Sequence, residues 1–354
     1  MKILALDCGK YKSVFLDYQT GDGPREFGKV STRPRDIHDL LVERRPEVFV
    51  LEIGPDAGWI CDLAAALGIK TKVANTNDER WHWKKSKKKH DRMDALKLAQ
   101  MEEMGCLPTV HVPEPRVRQW RSLIEYRHGL VDRRTAIKNS IRATFERQGQ
   151  RLPGGHKAWT ARGIEEWRKE ARPLSDCRAD QLWRGALHEE LEQLESVQKS
   201  IAVVENKLDE LAAADARIEQ LRTAPCVGPR LSELVVAVLD DPNRFENGKQ
   251  IGAYVGLTPR QWQSGQSCIE GHISRAGNPI LRELLVEVSW LGVRTNPWMK
   301  QVYEDVRRGS EKRKKIAIVA VARRLLVRLW AMLRDGTTWK EPAPRTTALA
   351  NAGG

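Results

Sequence analysis

Two short apolar runs near the start of the chain each end in an acidic residue, and this pattern strongly constrains the fold. Asp7 closes the run MKILALD, and Glu52 closes the run EVFVLE. Apolar runs of this length are typical of buried strands. A carboxylate at the end of a strand can project from the edge of a sheet, so we expect Asp7 and Glu52 at such an edge.

A second pair of acids, Asp91 and Asp94, lies in the segment KHDRMDALKLAQ. Side chains three positions apart share one face of a helix. Four carboxylates from two strands and a helix could therefore converge, and they would repel one another unless a cation neutralised them. Oxygen ligands favour Mg²⁺ or Mn²⁺, and such ions support phosphoryl transfer at a phosphodiester. The pattern predicts a nucleic-acid-processing enzyme.

Local roles for three of these acids remain as alternatives. Asp7 could cap the turn that follows it, and Asp91 could be the N-cap of its helix. Asp94 could pair with Lys97 at i+3. Glu52 is the hardest to explain in this way, because no cation stands near it in the sequence.

The first 75 residues alternate strand and helix signals in a definite order. A hairpin of two strands is followed by a third strand, an amphipathic helix and then a β-α-β unit. This order predicts a mixed sheet flanked by helices. It matches the RNase-H-like fold, in which acids lie on the first and fourth strands and on a later helix. We expect this α/β domain over residues 1–108.

The charge balance indicates a polyanionic partner. Lys and Arg number 60 against 47 Asp and Glu, a formal charge of +13, and a surplus of this size is typical of nucleic-acid-binding proteins. The six cysteines are scattered without a C-x-x-C pair, so neither a zinc site nor a disulfide framework is expected. Neither a signal peptide nor a membrane span is indicated, and we expect a cytoplasmic protein.

The segment RWHWKKSKKKHDRMDALK, residues 80–97, is strongly basic and contains Trp81 and Trp83. It is interpreted as a phosphate clamp next to the acidic helix; a solvated loop is the alternative. The candidate contacts are Lys84, Lys85, Lys87, Lys88 and Lys89.

Residues 114–148 predict one long helix with an apolar stripe and nine Lys or Arg. Arginine forks suit phosphate and RNA backbone recognition, whereas a salt-bridged surface helix is the alternative. The candidate nucleic-acid contacts are Arg133, Arg134, Lys138 and Arg142.

The rest of the chain is expected to be mostly helical. A near-heptad of Leu, Ile and Val over residues 187–221 predicts a coiled coil, formed either within the chain or between protomers. We therefore expect a helical and coiled-coil region over 109–222, a mostly α-helical domain over 223–338 and a disordered tail over 339–354. Within the C-terminal domain, TAPCVGPRL resembles a helix-hairpin-helix element or a plain helix start, and QSGQS is interpreted as a Gly/Ser-rich loop.

Several motifs, in this order, resemble one known family. They are KHDRMDALKLA, PCVGP, DDPNRFENGKQIGAYVGLTPRQWQSGQS, GHISRAGNPILRELLVE and AIVAVARRLLVRLWAMLRDG. Together they resemble the DEDD-type insertion-sequence transposases, the bridge-RNA-guided recombinases, over residues 1–338. The resemblance implies a RuvC-like N-terminal domain and a separate C-terminal transposase domain.

The resemblance also implies roles for individual residues. Asp7, Glu52, Asp91 and Asp94 match the tetrad that binds Mg²⁺ beside the scissile phosphate. Ser264 matches the nucleophilic serine, which forms a phosphoserine intermediate. The implied partners are donor and target DNA, a structured non-coding guide RNA that pairs with both DNAs, and further copies of the chain in a dimer or tetramer.

The chain departs from the family pattern in the C-terminal part. Gln263 stands where many relatives have a second serine, and Ser267 is a competing nucleophile. His272 and Ala276 replace residues that are usually basic in the family.

Two other functions compete with this interpretation. A metal-only nuclease of the RNase-H or junction-resolving kind would leave no protein–DNA adduct and would tolerate Ser264→Ala. A nucleic-acid-binding assembly protein without activity would tolerate Asp7→Ala.

Overall fold

A computed structural model describes residues 1–76, 78–82, 91–264 and 267–341. The chain forms two compact units, residues 1–118 and 119–354. Among the described residues, no helix has both the length and the apolar character needed to cross a membrane.

The N-terminal unit is built on a five-stranded sheet with the order β3-β2-β1-β4-β5. The first three strands pair antiparallel, whereas β1, β4 and β5 run parallel. The sheet is therefore mixed, as the order of elements predicts. The strands are β1 (Lys2–Asp7), β2 (Lys12–Gln19), β3 (Arg25–Ser31), β4 (Val48–Glu52) and β5 (Lys70–Ala74).

Helices cover both faces of this sheet. They are α1 (Pro34–Arg44), α2 (Ala57–Ala66) and α3 (Asp91–Glu103). Along β1, Ile3 and Ala5 are buried against α3, while Leu4 and Leu6 are buried with residues of α1 and α2. Because both faces are covered, the central strands are continuously apolar rather than alternating. This explains why the runs that precede Asp7 and Glu52 are so uniformly hydrophobic.

The C-terminal end of α3 is attached to the sheet by two acids. Glu102 is only 7% exposed, and its carboxylate lies 2.6 Å from Lys72 Nζ on β5. Glu103 accepts hydrogen bonds from the Tyr18 hydroxyl and from the Gly21 amide at 2.7 Å. These contacts hold the orientation of α3, and with it the position of the helix start that carries Asp91.

The second unit begins with a helical region whose helices are α4 (Pro115–Arg147), α5 (Ala161–Arg168) and α6 (Leu182–Ala213). Ile141 and Phe145 of α4 form one buried cluster with Leu187, Leu191 and Leu194 of α6. An ion pair of 2.5 Å joins Arg127 of α4 to Glu205 of α6. The near-heptad of α6 is therefore buried against α4 within the chain, and a coiled coil is not confirmed.

The remaining helices enclose the largest hydrophobic core. They are α7 (Ala216–Arg222), α8 (Pro229–Leu239), α9 (Gly248–Val255), α10 (Pro279–Thr295), α11 (Pro297–Arg307) and α12 (Lys314–Asp335). The α12 residues Ala317, Val321, Leu325 and Leu329 are completely buried in this core. The expectation of a mostly helical C-terminal region is confirmed. The same core includes residues of α6 and α7, so the division expected at residue 222 stays a prediction.

A β-hairpin interrupts the helices at the place where the sequence suggested an irregular loop. Its strands are β6 (Pro259–Ser264) and β7 (Ser267–Ile273). The interpretation of QSGQS as a loop was too wide, because only its centre lies between the strands. The strand segments RQWQ and SCIEG do not alternate strictly between polar and apolar residues, so they lack the period-2 pattern that predicts a strand.

The turn between α7 and α8 contains a residue with an unusual backbone. Cys226 has a φ of 63°, a conformation that glycine adopts at little cost. Cys226 therefore takes the backbone that glycine would have in the helix-hairpin-helix motif, although the motif itself stays a prediction.

The described part of the expected tail packs on the second unit. Trp339 and Trp298 form an edge-to-face pair with ring centroids 5.5 Å apart. Glu341 accepts a hydrogen bond of 3.0 Å from the Asn296 side chain. Residues 342–354 lie outside the described residues.

Candidate active site

Asp7 and Glu52 lie side by side at one edge of the sheet. In the parallel pair β1–β4, Leu6 is opposite Leu51, so each acid is the next residue at the carboxyl end of its strand. Their side chains are hydrogen-bonded to one another, which requires a proton on one of the two carboxyl groups. The register of two buried strands thus places two acids in direct contact.

The first turn of α3 brings Asp91 and Asp94 to the same edge. Both carboxylates act electrostatically on Asp7. Helix α3 packs on the sheet through Ala95, Leu98 and Ala99, which are buried against β1 and β4. Acids in the first turn also interact favourably with the helix dipole. The four acids predicted from the sequence therefore interact electrostatically at one edge of the sheet.

The electrostatics of this locality are unfavourable for a fully ionised set. Burial, followed by the charge and hydrogen bond of Glu52 and then the charges of Asp94 and Asp91, raises the pKa of Asp7 to about 7. At neutral pH Asp7 is therefore only partly ionised. A cation at this edge would favour the ionised form.

Two further groups, Cys8 and Asp56, lie near these acids. Burial, with the charges of Glu52, Asp7 and Asp56, raises the pKa of the Cys8 thiol to about 12. Cys8 is thus a neutral thiol at physiological pH. Asp56, which accepts a hydrogen bond of 2.9 Å from Trp59 Nε1, was not predicted from the sequence. Its position just after β4, before α2, was the available signal.

Two of the alternative roles considered for these acids, pairing of Asp94 with Lys97 and capping by Asp7 of the turn that follows it, are not seen among the described residues, because the groups concerned have other partners. Lys97 Nζ donates to the Trp81 carbonyl oxygen and lies 4.2 Å from the Trp81 ring centroid, rather than pairing with Asp94. The Gly9 amide donates to Ser13 Oγ at 3.3 Å. Within the described part of the chain, none of the four acids forms a salt bridge.

The donor chemistry of the four acids fits a hard divalent cation. All offer carboxylate oxygens, the ligands that Mg²⁺ and Mn²⁺ prefer. Burial, and then the charges of the other three acids, raise the pKa of Asp7. Among the described residues, no three Asp, Glu, His or Cys side chains are close enough to enclose an ion.

The two candidate serines lie at the tip of the β6–β7 hairpin. Ser264 ends β6 and is directly opposite Ser267, which begins β7. Gly265 and Gln266 lie outside the described residues, as do the side chains of residues 261–270. The backbone therefore places both candidates at one tip, and the choice between them stays a prediction.

The basic residues predicted to bind nucleic acid fall into two groups. The lysines predicted to form the clamp (Lys84, Lys85, Lys87, Lys88 and Lys89) lie outside the described residues. On α4, Lys138 and Arg142 lie 5.1 and 5.3 Å from the Trp159 ring centroid. Desolvation, followed by the charges of Arg134 and Arg142, lowers the pKa of Lys138.

The basic residues of α4 differ in the partners that they have within the protein. Arg118 pairs with Asp62, and Arg121 donates to the Ala237 carbonyl at 2.6 Å. Arg133, Arg134, Lys138 and Arg142 form no salt bridge with any described acid, and Arg142 donates to the Gly155 carbonyl at 3.3 Å. These four are the candidates available to a polyanion.

A mixed five-stranded sheet with acids at the ends of its first and fourth strands and at the start of a later helix defines an RNase-H-like nuclease domain. Two family models match the chain. Residues 5–148 match a transposase model of the DEDD type found in IS110 elements. Residues 218–304 match the model described as "Transposase IS116/IS110/IS902 family".

Individual relatives agree with these matches over most of their length. The protein y4rJ of Sinorhizobium fredii is 29% identical over 82% of this chain and 78% of its own. The transposase for insertion sequence element IS1111A of Coxiella burnetii is 26% identical over 77% of this chain and 74% of its own. The transposase for insertion sequence element IS1328 of Yersinia enterocolitica is 23% identical over 96% and 98%.

The chain belongs to the DEDD-type insertion-sequence transposases of the IS116/IS110/IS902 family. It is thus an enzyme of the class that cuts and rejoins DNA.

Proposed function

We propose that this transposase cuts and rejoins DNA through a phosphoserine intermediate on Ser264, with a divalent cation bound by the acids of the sheet edge and with a guide RNA choosing the DNA. The observation that carries the proposal is the contact between Asp7 and Glu52 beside the acidic start of α3. A cluster that cannot ionise fully by itself is suited to a cation.

Asp7, Glu52, Asp91 and Asp94 are the residues that would hold the ion, Mg²⁺ or Mn²⁺. When bound, it would neutralise charge on a phosphodiester and polarise the phosphorus for attack. The protein supplies the position of the acids through the β1–β4 register and through the anchoring of α3 by Glu102 and Glu103.

Ser264 is proposed as the nucleophile because it matches the family's serine and lies at the tip of a hairpin. A bond forms between Ser264 Oγ and phosphorus, and a bond from phosphorus to a deoxyribose oxygen breaks. The serine proton leaves to solvent or to a basic group, and the departing oxygen takes up a proton. In the second step, a hydroxyl of another DNA end attacks phosphorus and releases the serine.

The guide RNA and the oligomer are proposed from the family resemblance. Four cations of α4 form no salt bridge with a described acid, and their surface suits an RNA backbone. They are Arg133, Arg134, Lys138 and Arg142. In this assignment, sequence choice rests on base pairing while the protein reads backbone and shape. Assembly of two or four copies is proposed on the same basis.

A denaturing-gel assay for a covalent protein–DNA adduct tests the proposal. Full-length protein is mixed with Mg²⁺, matched DNA and the RNA transcribed from the element's flanks. We expect an adduct with wild type and Ser267→Ala, and none with Ser264→Ala or Asp91→Asn. An adduct retained in Ser264→Ala and lost in Ser267→Ala would move the nucleophile to Ser267.

The competing function is a metal-only nuclease, which the acids of the N-terminal unit would support by themselves. Its signature is cleavage without an adduct, unaffected by Ser264→Ala and abolished by Asp91→Asn. That result would overturn the serine mechanism while leaving the metal site in place.

A further inference from the structure

A cleft of the second unit lies beside the serine hairpin. It has a volume of about 1630 Å³ and is lined by residues of α9, β7, α11 and α12. Pockets for small ligands usually enclose roughly 300–1,000 Å³. The cleft is therefore better matched to a segment of a polymer than to a small molecule.

The lining of the cleft is strongly basic. Of the described residues that line it, only Asp305 is acidic. No described acid forms a salt bridge with any of the seven Lys and Arg side chains that line it. These cations are Lys249, Arg275, Lys312, Lys315, Arg323, Arg324 and Arg328.

Three arginines elsewhere in the same unit show the opposite arrangement, because each pairs with an acid. Arg307, on the α11 helix that also lines the cleft, lies 2.7 Å from Glu311. Arg230 lies 2.9 Å from Glu233, and Arg217 lies 2.6 Å from Asp215. Uncompensated cations on concave walls focus a positive potential and concentrate a polyanion there.

The walls of the cleft are closely packed rather than loose. An added Cβ at Gly252 would come within 2.8 Å of Arg323 Nε, and one at Gly248 within 2.7 Å of Val327. The two glycines of α9 thus allow α12 to approach closely, and Arg323 is held half-buried against α9. A cation positioned before binding loses less side-chain entropy when it contacts a phosphate.

The cleft and the serine belong to one hairpin. Pro259, Gly271 and Ile273 at the base of the hairpin line the cleft, while Ser264 lies at the tip. The strand from Pro259 to Ser264 spans about 17 Å at ~3.3 Å per residue. Phosphates of one strand advance ~3.4 Å along the duplex axis per nucleotide, so this span corresponds to at most roughly five nucleotides.

We propose that this cleft binds the backbone of the DNA strand within about five nucleotides of the phosphodiester that Ser264 attacks. Lys315 and Arg324, both exposed on α12, contact phosphates directly, and Arg323 supports them from the wall. The proposal rests on the function proposed for Ser264. DNA is favoured over RNA because the same hairpin presents the nucleophile for DNA.

The test compares the full-length double variant Lys315→Gln/Arg324→Gln with Arg294→Gln/Lys300→Gln. The control removes the same charge from exposed helical positions outside the cleft lining. The dissociation constant is measured against salt concentration for a 30-base-pair DNA duplex and for a 30-nucleotide RNA hairpin. Each lost phosphate contact lowers the slope of log K against log salt by ~0.9.

We expect the cleft variant to lose roughly two units of slope on DNA, and the control to keep the wild-type slope. An unchanged slope on DNA, or a loss confined to RNA, would overturn the proposal. The salt slope and the adduct assay test different proposals. If the cleft variant loses slope on DNA but wild type forms no adduct, the serine mechanism is refuted and DNA binding by the cleft is retained.

Single methylphosphonates in the substrate then locate the contact. The wild-type adduct identifies the phosphodiester that is cut. We expect a neutral linkage at one position within about five nucleotides of it to weaken binding to wild type. The same linkage should have little further effect in the cleft variant. An equal effect in both proteins would overturn the assignment.

Discussion

The carboxyl groups of Asp7 and Glu52 are hydrogen-bonded to one another at the carboxyl ends of neighbouring parallel strands. Burial and this contact raise the pKa of Asp7, and the negative charge of the two neighbouring acids suits this edge of the sheet to a cation.

Neutralising Asp7 should flatten the pH dependence of stability in metal-free protein. The pKa of Asp7 is raised to about 7, so between pH 4 and 7 the folded state binds more protons than the unfolded state, and the free energy of unfolding falls as pH rises. Because Asp7 is half exposed, we expect this contribution to be on the order of 1 kcal/mol. Chemical denaturation of wild type and Asp7→Asn at pH 5 and pH 8 measures it. Equal pH slopes in the two proteins would contradict the assignment.

Mg²⁺ should stabilise the protein through the four acids. An ion that binds only the folded state raises the melting temperature as its concentration exceeds the dissociation constant. We expect a rise at pH 8 in wild type that is lost in Asp94→Asn and kept in Asp22→Asn, which removes an exposed acid of the same unit. Thermal melts with and without about 10 mM Mg²⁺ measure this rise, since the concentration is chosen to exceed the dissociation constant of the site. A rise retained in Asp94→Asn would exclude this acid from the site.

Removing Arg230 should destabilise the second unit more than removing a surface arginine. Glu233 is completely buried, pairs with Arg230 at 2.9 Å, and has its Oε1 without a hydrogen-bond partner in the described structure. Breaking a buried pair costs about 3 kcal/mol, because an uncompensated charge remains. Arg222→Met, which breaks an exposed pair with Glu219, should cost less than ~1 kcal/mol.

The same pair makes a pH prediction. Burial raises the pKa of Glu233 to about 7, so Glu233 takes up a proton as pH falls below this value. We expect Arg230→Met to lose less stability at pH 5.5 than at pH 8, measured against Arg222→Met by urea denaturation. A loss that is independent of pH would show that packing, rather than the buried charge, causes it.

Neutralising Lys138 and Arg142 should weaken binding of RNA more than of DNA. Both cations lie over Trp159 without an acidic partner among the described residues. For single-stranded RNA, two lost phosphate contacts lower the salt slope by roughly 1.4. Filter binding of Lys138→Gln/Arg142→Gln is compared with Lys199→Gln/Lys207→Gln, whose lysines pair with Glu195 and Glu210. Equal losses for RNA and DNA would contradict an RNA-specific surface.

Much of the N-terminal unit was predictable because its signals are local. Apolar runs and helical periodicity predict the hairpin, the third strand and the β-α-β unit. The strands β1 to β5 occur in the expected order. The hairpin that carries Ser264 was not anticipated, since its short strands lack a regular alternation of polar and apolar residues and adjoin Gly and Ser.

The sequence by itself determined the strands that end in Asp7 and Glu52, the helix that carries Asp91 and Asp94, and the family to which the chain belongs. Only the tertiary structure decided that Asp7 contacts Glu52, that α6 packs on α4, and that cations from Lys249 to Arg324 line one cleft. The reason is physical. Strand register and helix packing depend on contacts between residues far apart in the chain, whereas periodicity and turn signals report only each residue's neighbours in sequence.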